Sequence, residues 1–126
     1  MTRLRLLLAG FGNVGRRFVE ILAEGKAYPG LAGLEVSIVA ITTGRHGAWA
    51  DPKGLAPAAI LERYRTQGGF PSSLDTLEAI RTVDFDVLVE LSPLSIAGRG
   101  EPAISHVREA LSRRRHVVSA NKGPIA

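Results

Sequence analysis

Three glycines near the amino terminus constrain the fold of this 126-residue chain more than any other feature. They form the pattern Gly10-x-Gly12-x-x-Gly15, which directly follows the apolar run LRLLLA (4–9) and precedes apolar residues at helical spacing. In a strand–turn–helix unit of this kind, Gly10 permits a tight turn, Gly12 lets a pyrophosphate approach the backbone, and Gly15 lets helix and strand pack closely. The free N–H groups at the start of the helix favour phosphate. The pattern therefore predicts a dinucleotide site, and the alternative is a glycine-rich turn without a ligand.

The rest of the chain alternates between apolar runs of strand length and segments with apolar residues three or four positions apart. We expect Asn13 to cap the first helix, and we expect Ile104, Val107 and Leu111 to face the core from the last helix. Residues 42–54 lack a sustained period, which predicts a loop. The remaining elements are strands at 4–9, 34–41, 86–91 and 116–119, and helices at 13–24, 55–65, 74–80 and 101–114. This alternation predicts an α/β fold, a doubly wound parallel sheet forming one Rossmann-like NAD(P)-binding domain over residues 1–126.

Composition narrows the possible chemistry. The absence of cysteine excludes disulfides, thiolate metal sites and a cysteine nucleophile. The net charge of +4 is compatible with nucleic acid, a membrane surface or a phosphorylated small molecule. The basic run Arg113–Arg115 has no interleaved aromatic residue, so we expect it to complement a helix end and not to bind nucleic acid. The apolar run at 6–9 is too short for a signal peptide or a membrane span, which predicts a cytoplasmic protein without membrane association.

The histidines and the strand carboxylates predict structural roles. His46, His106 and His116 lie far apart, without acidic or histidine neighbours at metal-ligand spacing, so no metal site is expected. Asp86 and Glu90 alternate along a predicted strand, where satisfied or solvated carboxylates are more common than a catalytic pair.

The end of the second strand bears on cofactor choice. An NAD-specific domain usually carries an acidic residue there for the ribose 2′-hydroxyl, whereas this chain has Thr42-Thr43-Gly44-Arg45 and no acidic residue before Asp51. Arg45, with Lys53 as a second charge, favours a 2′-phosphate. We therefore expect NADP(H) to be preferred, with NAD(H) possible; the alternative is that both are solvated loop cations.

Lys122 follows the last predicted strand almost directly, in Ser119-Ala120-Asn121-Lys122. A side chain at this position is expected to point towards the crevice that would hold a nicotinamide. A lysine there can orient a substrate hydroxyl or carbonyl group and exchange a proton. The alternative is a surface lysine in a Gly-Pro turn.

Three segments resemble the amino-terminal nucleotide-binding domain of homoserine dehydrogenase. They are AGFGNVGR (9–16), DVLVELSP (86–93) and VSANKGP (118–124), in matching order and separation. The resemblance implies hydride transfer between NAD(P)H and L-aspartate 4-semialdehyde to give L-homoserine, in threonine, methionine and isoleucine biosynthesis. By position, it implies cofactor contacts from Gly10, Phe11, Gly12, Asn13, Val14 and Gly15 at the phosphates, Arg45 and Lys53 at the adenosine ribose, and Ser92, Ala120 and Lys122 at the nicotinamide, with Lys122 also catalytic.

Two departures from the family pattern matter. Ser92 stands where the family often has threonine, which keeps the hydroxyl group. The family's substrate-binding and dimerisation region would lie after Ala126, so we expect a homodimeric parent protein with a small-molecule substrate and little turnover by this chain alone. A stand-alone NADP(H)-sensing module remains an alternative. So does another NAD(P)-dependent amino-acid dehydrogenase such as aspartate dehydrogenase, although Asn121-Lys122-Gly123-Pro124 argues against it.

Overall fold

A computed structural model describes residues 2–25, 33–92 and 99–120 of the chain. Its strands are β1 (Thr2–Ala9), β2 (Leu34–Thr42), β3 (Ala48–Leu55), β4 (Val87–Glu90) and β5 (His116–Ser119). Its helices are α1 (Asn13–Glu24), α2 (Pro57–Gln67), α3 (Thr76–Thr82) and α4 (Ala103–Ser112). The strands form one five-stranded sheet in the order β3-β2-β1-β4-β5.

Most of the sheet is parallel, as the alternating pattern predicts. β1 lies between β2 and β4 and pairs in parallel with both, and β4 pairs in parallel with β5. The α/β class and the doubly wound arrangement are confirmed.

The loop predicted at 42–54 is wrong, because its second half is β3, which runs antiparallel to β2. The hydroxyl group of Thr43 closes the intervening turn by donating to the Gly47 carbonyl at 2.7 Å and accepting the N–H of His46 at 2.7 Å. Pro52 and Gly54 are rare inside strands, so the sequence pattern did not indicate a strand here. An edge strand such as β3 tolerates both residues.

Helices cover both faces of the sheet. Leu6 and Leu8 of β1 point into a core that includes Val19 of α1 and Ile60 of α2. Leu7, between them, points to the opposite face, where the core includes residues of α3 and α4. Because successive strand residues alternate between faces, the part of a central strand that is covered on both faces must be apolar, which is why 6–9 lacks alternation.

Two helix details differ from the sequence prediction. Gly12, not Asn13, occupies the capping position of α1, and Asn13 is its first helical residue. In α4 the predicted inward face is wrong: Ala103, His106 and Ala110 are buried, whereas the Leu111 side chain is 57% exposed. Small side chains let this helix lie close to the sheet. A hydrogen bond to a buried partner holds His106 on the inward face.

Candidate cofactor-binding site

A cleft of about 740 Å³ opens at the carboxyl ends of β1, β2 and β4. β1 continues to β2 on one side and its neighbour β4 continues to β5 on the other, so the connections that follow β1 and β4 diverge at this edge. Ligands of open parallel sheets bind at such a switch point. The cleft is lined by Gly10, Phe11, Gly12, Thr42, Thr43, Gly44, Arg45, His46, Gly47, Ser73, Leu74, Asp75, Thr76, Ser92, Pro102 and His106.

Each glycine of the loop has the surroundings that its predicted role requires. Gly10 has a φ of +110°, and a Cβ atom there would lie 2.6 Å from the Leu91 carbonyl group. A Cβ on Gly15 would lie 2.7 Å from the carbonyl oxygen of Gly10. By contrast, nothing lies within 4 Å of a Cβ built on Gly12. Gly12 thus leaves open space directly before the first turn of α1.

The start of α1 is suited to binding an anion. Its first hydrogen bond runs from the N–H of Arg16 to the carbonyl of Gly12, so the preceding N–H groups have no partner within the helix. The first turn carries no acidic residue, and the side chains of Asn13 and Val14 are exposed. Backbone N–H groups and the helix dipole together favour a phosphate at this point.

Phe11 supports the loop through packing. Its ring is 5% exposed and packs edge-on against Tyr64 of α2, with centroids 4.9 Å apart, and against Phe70, at 5.4 Å. The sequence prediction missed these two aromatic partners because they lie more than 50 residues from Phe11 in the sequence. Phe11 therefore anchors the phosphate loop to α2.

The turn after β2 forms the second wall of the cleft. Arg45 is exposed there, and no ion pair involves it within the ranges that the structure covers. The hydroxyl groups of Thr42 and Thr76 are 2.8 Å apart and buried, which joins this wall to the start of α3. Asp75, a carboxylate that the sequence prediction missed, also lines the cleft.

The structure does not bring Lys53 to this wall. Residue 53 lies on β3, which runs back along β2, and its carbonyl oxygen accepts a hydrogen bond at 3.1 Å from Arg3, near the start of β1. The antiparallel turn therefore carries Lys53 away from the carboxyl edge that holds Arg45.

The third wall contains a buried carboxylate. Glu90, the last residue of β4, is 0% exposed. Its Oε1 accepts the N–H of Ser92 at 2.8 Å and a hydrogen bond from the Ser92 hydroxyl group. Its Oε2 lies 2.7 Å from Nδ1 of His106 on α4, which is 7% exposed. The sequence prediction treated Glu90 and His106 as separate structural residues; an acidic residue inside the apolar run DVLVEL was the signal that a buried partner exists.

The last two predicted positions lie at and beyond the end of β5. Ala120 is exposed, and its N–H donates to the carbonyl of Glu90 at 3.3 Å, which places its backbone beside the third wall. Lys122 lies outside the described residues.

Two further features bear on the kind of site. Within the described ranges, no three histidine, cysteine, aspartate or glutamate side chains are grouped to hold a metal ion. In the same ranges no helix combines the length and hydropathy needed to cross a bilayer.

The strand order, the glycine loop and the cleft together define a dinucleotide-binding domain of the Rossmann type. Comparison with known families agrees: residues 10–126 match the family described as homoserine dehydrogenase, NAD binding domain. The chain belongs to this family.

Individual relatives support the same assignment. The chain is 33% identical to a homoserine dehydrogenase of Methanocaldococcus jannaschii over 96% of its length, and 34% identical to an NAD(+)-dependent homoserine dehydrogenase of Pseudomonas canavaninivorans over its full length. It spans only 37% and 38% of these two proteins. Among solved structures, an Archaeoglobus fulgidus protein assigned to the homoserine dehydrogenases gives a TM-score of 0.80 at 27% identity, covering 97% of this chain and 35% of that one. A hyperthermophilic archaeal homoserine dehydrogenase in complex with NADPH gives 0.75 at 25%, covering 98% and 37%.

Proposed function

We propose that this chain holds the nicotinamide cofactor of an oxidoreductase that interconverts L-homoserine and L-aspartate 4-semialdehyde. The observation that carries the proposal is the open space at Gly12, directly before the N–H groups of α1 that have no partner within the helix, in a cleft at the switch point of the sheet. The family membership supplies the substrate pair. When bound, the cofactor supplies the hydride, and the protein supplies its orientation.

Different residues along the cleft bind different parts of the cofactor and the substrate. The N–H groups before Arg16 bind the pyrophosphate, and the turn containing Arg45 binds the adenosine ribose. Ser92 and the backbone at Ala120 hold the nicotinamide end, on the opposite side of the glycine loop. Lys122, matched to the family by Asn121-Lys122-Gly123-Pro124, orients the oxygen of the substrate and carries its proton.

We further propose that NADP(H) is preferred over NAD(H), with Arg45 as the determinant. An exposed arginine without an ion pair in the described ranges suits a 2′-phosphate, because its planar group donates two hydrogen bonds at once. Asp75 favours the opposite choice, since a carboxylate in the cleft accepts hydrogen bonds from ribose hydroxyl groups and repels a phosphate. The relatives do not decide the matter: one is described as NAD(+)-dependent, and another was solved with NADPH.

Calorimetric titration of this chain with NADPH and NADH, at low and high salt, tests both proposals. We expect tighter and more salt-sensitive binding of NADPH. Arg45→Ala should weaken NADPH binding about tenfold, the loss of one charge-assisted contact, and leave NADH within about twofold. Asp75→Asn is the matched variant and should weaken only NADH. Equal affinities in the wild type would contradict the role of Arg45, and the absence of binding by either cofactor would contradict cofactor binding itself.

The location and the oligomeric state of the whole protein are also proposals. The chain spans about 37% of its curated relatives, and we propose that the remaining part of such a protein, in the cytoplasm, binds the substrate and forms a homodimer. Light scattering of the full-length protein should give twice the mass of one chain, and a monomer would contradict the dimer.

A further inference from the structure

We propose that Arg16 is a second specificity-determining residue for NADP(H), a cation that contacts the 2′-phosphate together with Arg45, and that Tyr64 is the positioning residue that holds it there. The inference rests on the proposed binding of NADP(H) in the cleft. It deepens that proposal by giving a role to a residue of α1, for which neither the glycine pattern nor the family resemblance supplies one.

The first observation is that the ring of Tyr64, on α2, joins the glycine loop to the turn after β2. The half-buried Tyr64 ring packs against Phe11 of the loop, with centroids 4.9 Å apart. It also packs against the ring of His46, with centroids 5.7 Å apart and an angle of 88° between the ring planes. His46 lines the cleft directly after Arg45. Tyr64 therefore contacts both the wall that receives the pyrophosphate and the wall that receives the adenosine ribose.

The second observation is where the side chain of Arg16 lies. The carbon of its guanidinium group stands over the Tyr64 ring, 5.5 Å from the centroid. A cation over an aromatic face is attracted by the ring, which fixes the side chain without neutralising its charge. Arg16 of α1 and His46 of the turn thus contact the same ring. The ring brings a second cation to the turn that carries Arg45.

The charge of Arg16 is not balanced by the protein around it. Within the parts of the chain that the structure describes, Arg16 forms no ion pair, although Glu20 lies four residues later on the same helix, at a spacing that allows one. Glu20 and Glu24 instead pair with Arg17, at 3.5 and 3.3 Å. The helix dipole also opposes a cation in the first turn of a helix. An anion bound beside Arg16 offsets this repulsion.

The strand order indicates which anion of the cofactor reaches this point. The pyrophosphate belongs at the amino end of α1, where backbone N–H groups bind it, and the adenosine ribose belongs at the end of β2. The anion on that ribose is the 2′-phosphate, which NADP(H) carries and NAD(H) lacks. Because Tyr64 connects Arg16 to the turn through His46, the 2′-phosphate has one arginine on the turn and a second on α1.

Two neighbouring arginines of α1 provide the test and its control. Arg16→Gln removes the charge over Tyr64, and Arg17→Gln removes one charge from a side chain that pairs with Glu20 and Glu24. Each variant of the chain is titrated calorimetrically with NADPH and NADH. We expect Arg16→Gln to weaken NADPH binding about fivefold, the loss of one exposed charge-assisted contact, and to leave NADH within about twofold. Arg17→Gln should change either affinity by less than about twofold, because salt screens a distant surface charge.

The role of Tyr64 is tested by the ratio of the NADH and NADPH dissociation constants, which a uniform loss of folded protein leaves unchanged. Tyr64→Leu should lower this preference for NADPH as far as Arg16→Gln does, and combining the two should lower it no further. Tyr64→Phe, which keeps the ring, should retain the wild-type preference. A Tyr64→Leu variant with the wild-type preference would contradict the positioning role. If that variant fails to fold, as judged by far-UV circular dichroism, the paired arginine variants decide the proposal.

The remaining outcomes separate this inference from the proposed function. Equal weakening of NADPH and NADH by Arg16→Gln would assign Arg16 to the pyrophosphate or to the fold, and an effect no larger than that of Arg17→Gln would leave only general attraction; both overturn the inference. If Arg45→Ala lowers the preference for NADPH and Arg16→Gln does not, this inference alone fails. A wild-type chain that binds neither cofactor contradicts the proposed function as well.

Discussion

At the scale of the residue, the glycines of the phosphate loop are required for different reasons. Gly10 adopts a backbone conformation that side chains rarely adopt, and it packs against the carbonyl group of Leu91. Gly12 has an extended backbone and an open environment, so no contact within the described protein requires a glycine there. We therefore expect the need for glycine at position 12 to come from the ligand, whereas the need at position 10 comes from the fold.

This difference predicts opposite effects of two alanine substitutions. Gly12→Ala should leave the melting temperature within a few degrees of the wild type and weaken NADPH binding at least tenfold, because the methyl group occupies the path of the phosphate. Gly10→Ala should destabilise the fold by about 3 kcal/mol through strain and contact with Leu91. Thermal unfolding and calorimetry of both variants check this, and a Gly12→Ala variant with unchanged affinity would show that no phosphate approaches this residue.

Sequence reasoning reached the glycine loop, but not the Glu90–His106 contact in the third wall of the cleft. The loop is a local pattern, in which strand, turn and helix are consecutive, so spacing alone places Gly10, Gly12 and Gly15. The Glu90–His106 contact joins residues 16 positions apart on different elements. Its formation depends on how α4 rotates against β4, which no local pattern specifies.

At the scale of the element, α4 illustrates the limit of helical periodicity. Ile104, Val107 and Leu111 form an apolar stripe, and the sequence prediction turned this stripe inward. The structure instead buries the adjacent stripe of Ala103, His106 and Ala110. Periodicity establishes that a helix has two faces, but the buried face here is selected by close approach to the sheet and by the hydrogen bond to Glu90.

The orientation of α4 predicts that enlarging a small side chain of this helix destabilises the domain more than truncating a large one. Ala110 is 0% exposed, so Ala110→Leu should destabilise the domain by about 1–3 kcal/mol through overpacking. Leu111 is 57% exposed, so Leu111→Ala should change stability by no more than about 0.5 kcal/mol. Urea unfolding of the two variants measures both effects. A larger loss for Leu111→Ala than for Ala110→Leu would mean that the helix is rotated as the sequence suggested.

At the scale of the whole molecule, the two edges of the sheet have different chemistry. The carboxyl edge forms the cleft, whereas near the start of β4 an ion pair joins strands. Asp86 accepts the N–H of Arg5 at 2.8 Å and pairs with its guanidinium group at 3.0 Å. These hydrogen bonds hold the pKa of Asp86 below its usual value of 3.8. The sequence prediction left a satisfied or a solvated carboxylate open here, and the structure shows a satisfied one.

This pair predicts how stability depends on pH. Because the pKa of Asp86 is lower in the folded than in the unfolded state, its contribution is complete above about pH 4 and is lost as the pH falls through the folded value. Asp86→Asn should lower the free energy of unfolding by about 1–2 kcal/mol at pH 7. In urea titrations the difference between variant and wild type should shrink below pH 4. A constant difference down to pH 2 would contradict the role of ionisation.

The aromatic packing behind the phosphate loop has an optical consequence. Trp49 is the only tryptophan of the chain, and its ring stacks on Phe70 with centroids 6.4 Å apart. Phe70 in turn packs against Phe11, inside the glycine loop. When excitation is chosen at the red edge of tryptophan absorption, where the two tyrosines hardly absorb, the intrinsic fluorescence therefore comes from one emitter, which only the Phe70 ring separates from Phe11 of the phosphate loop. A change in emission on adding a nucleotide would report the loop directly, without any label.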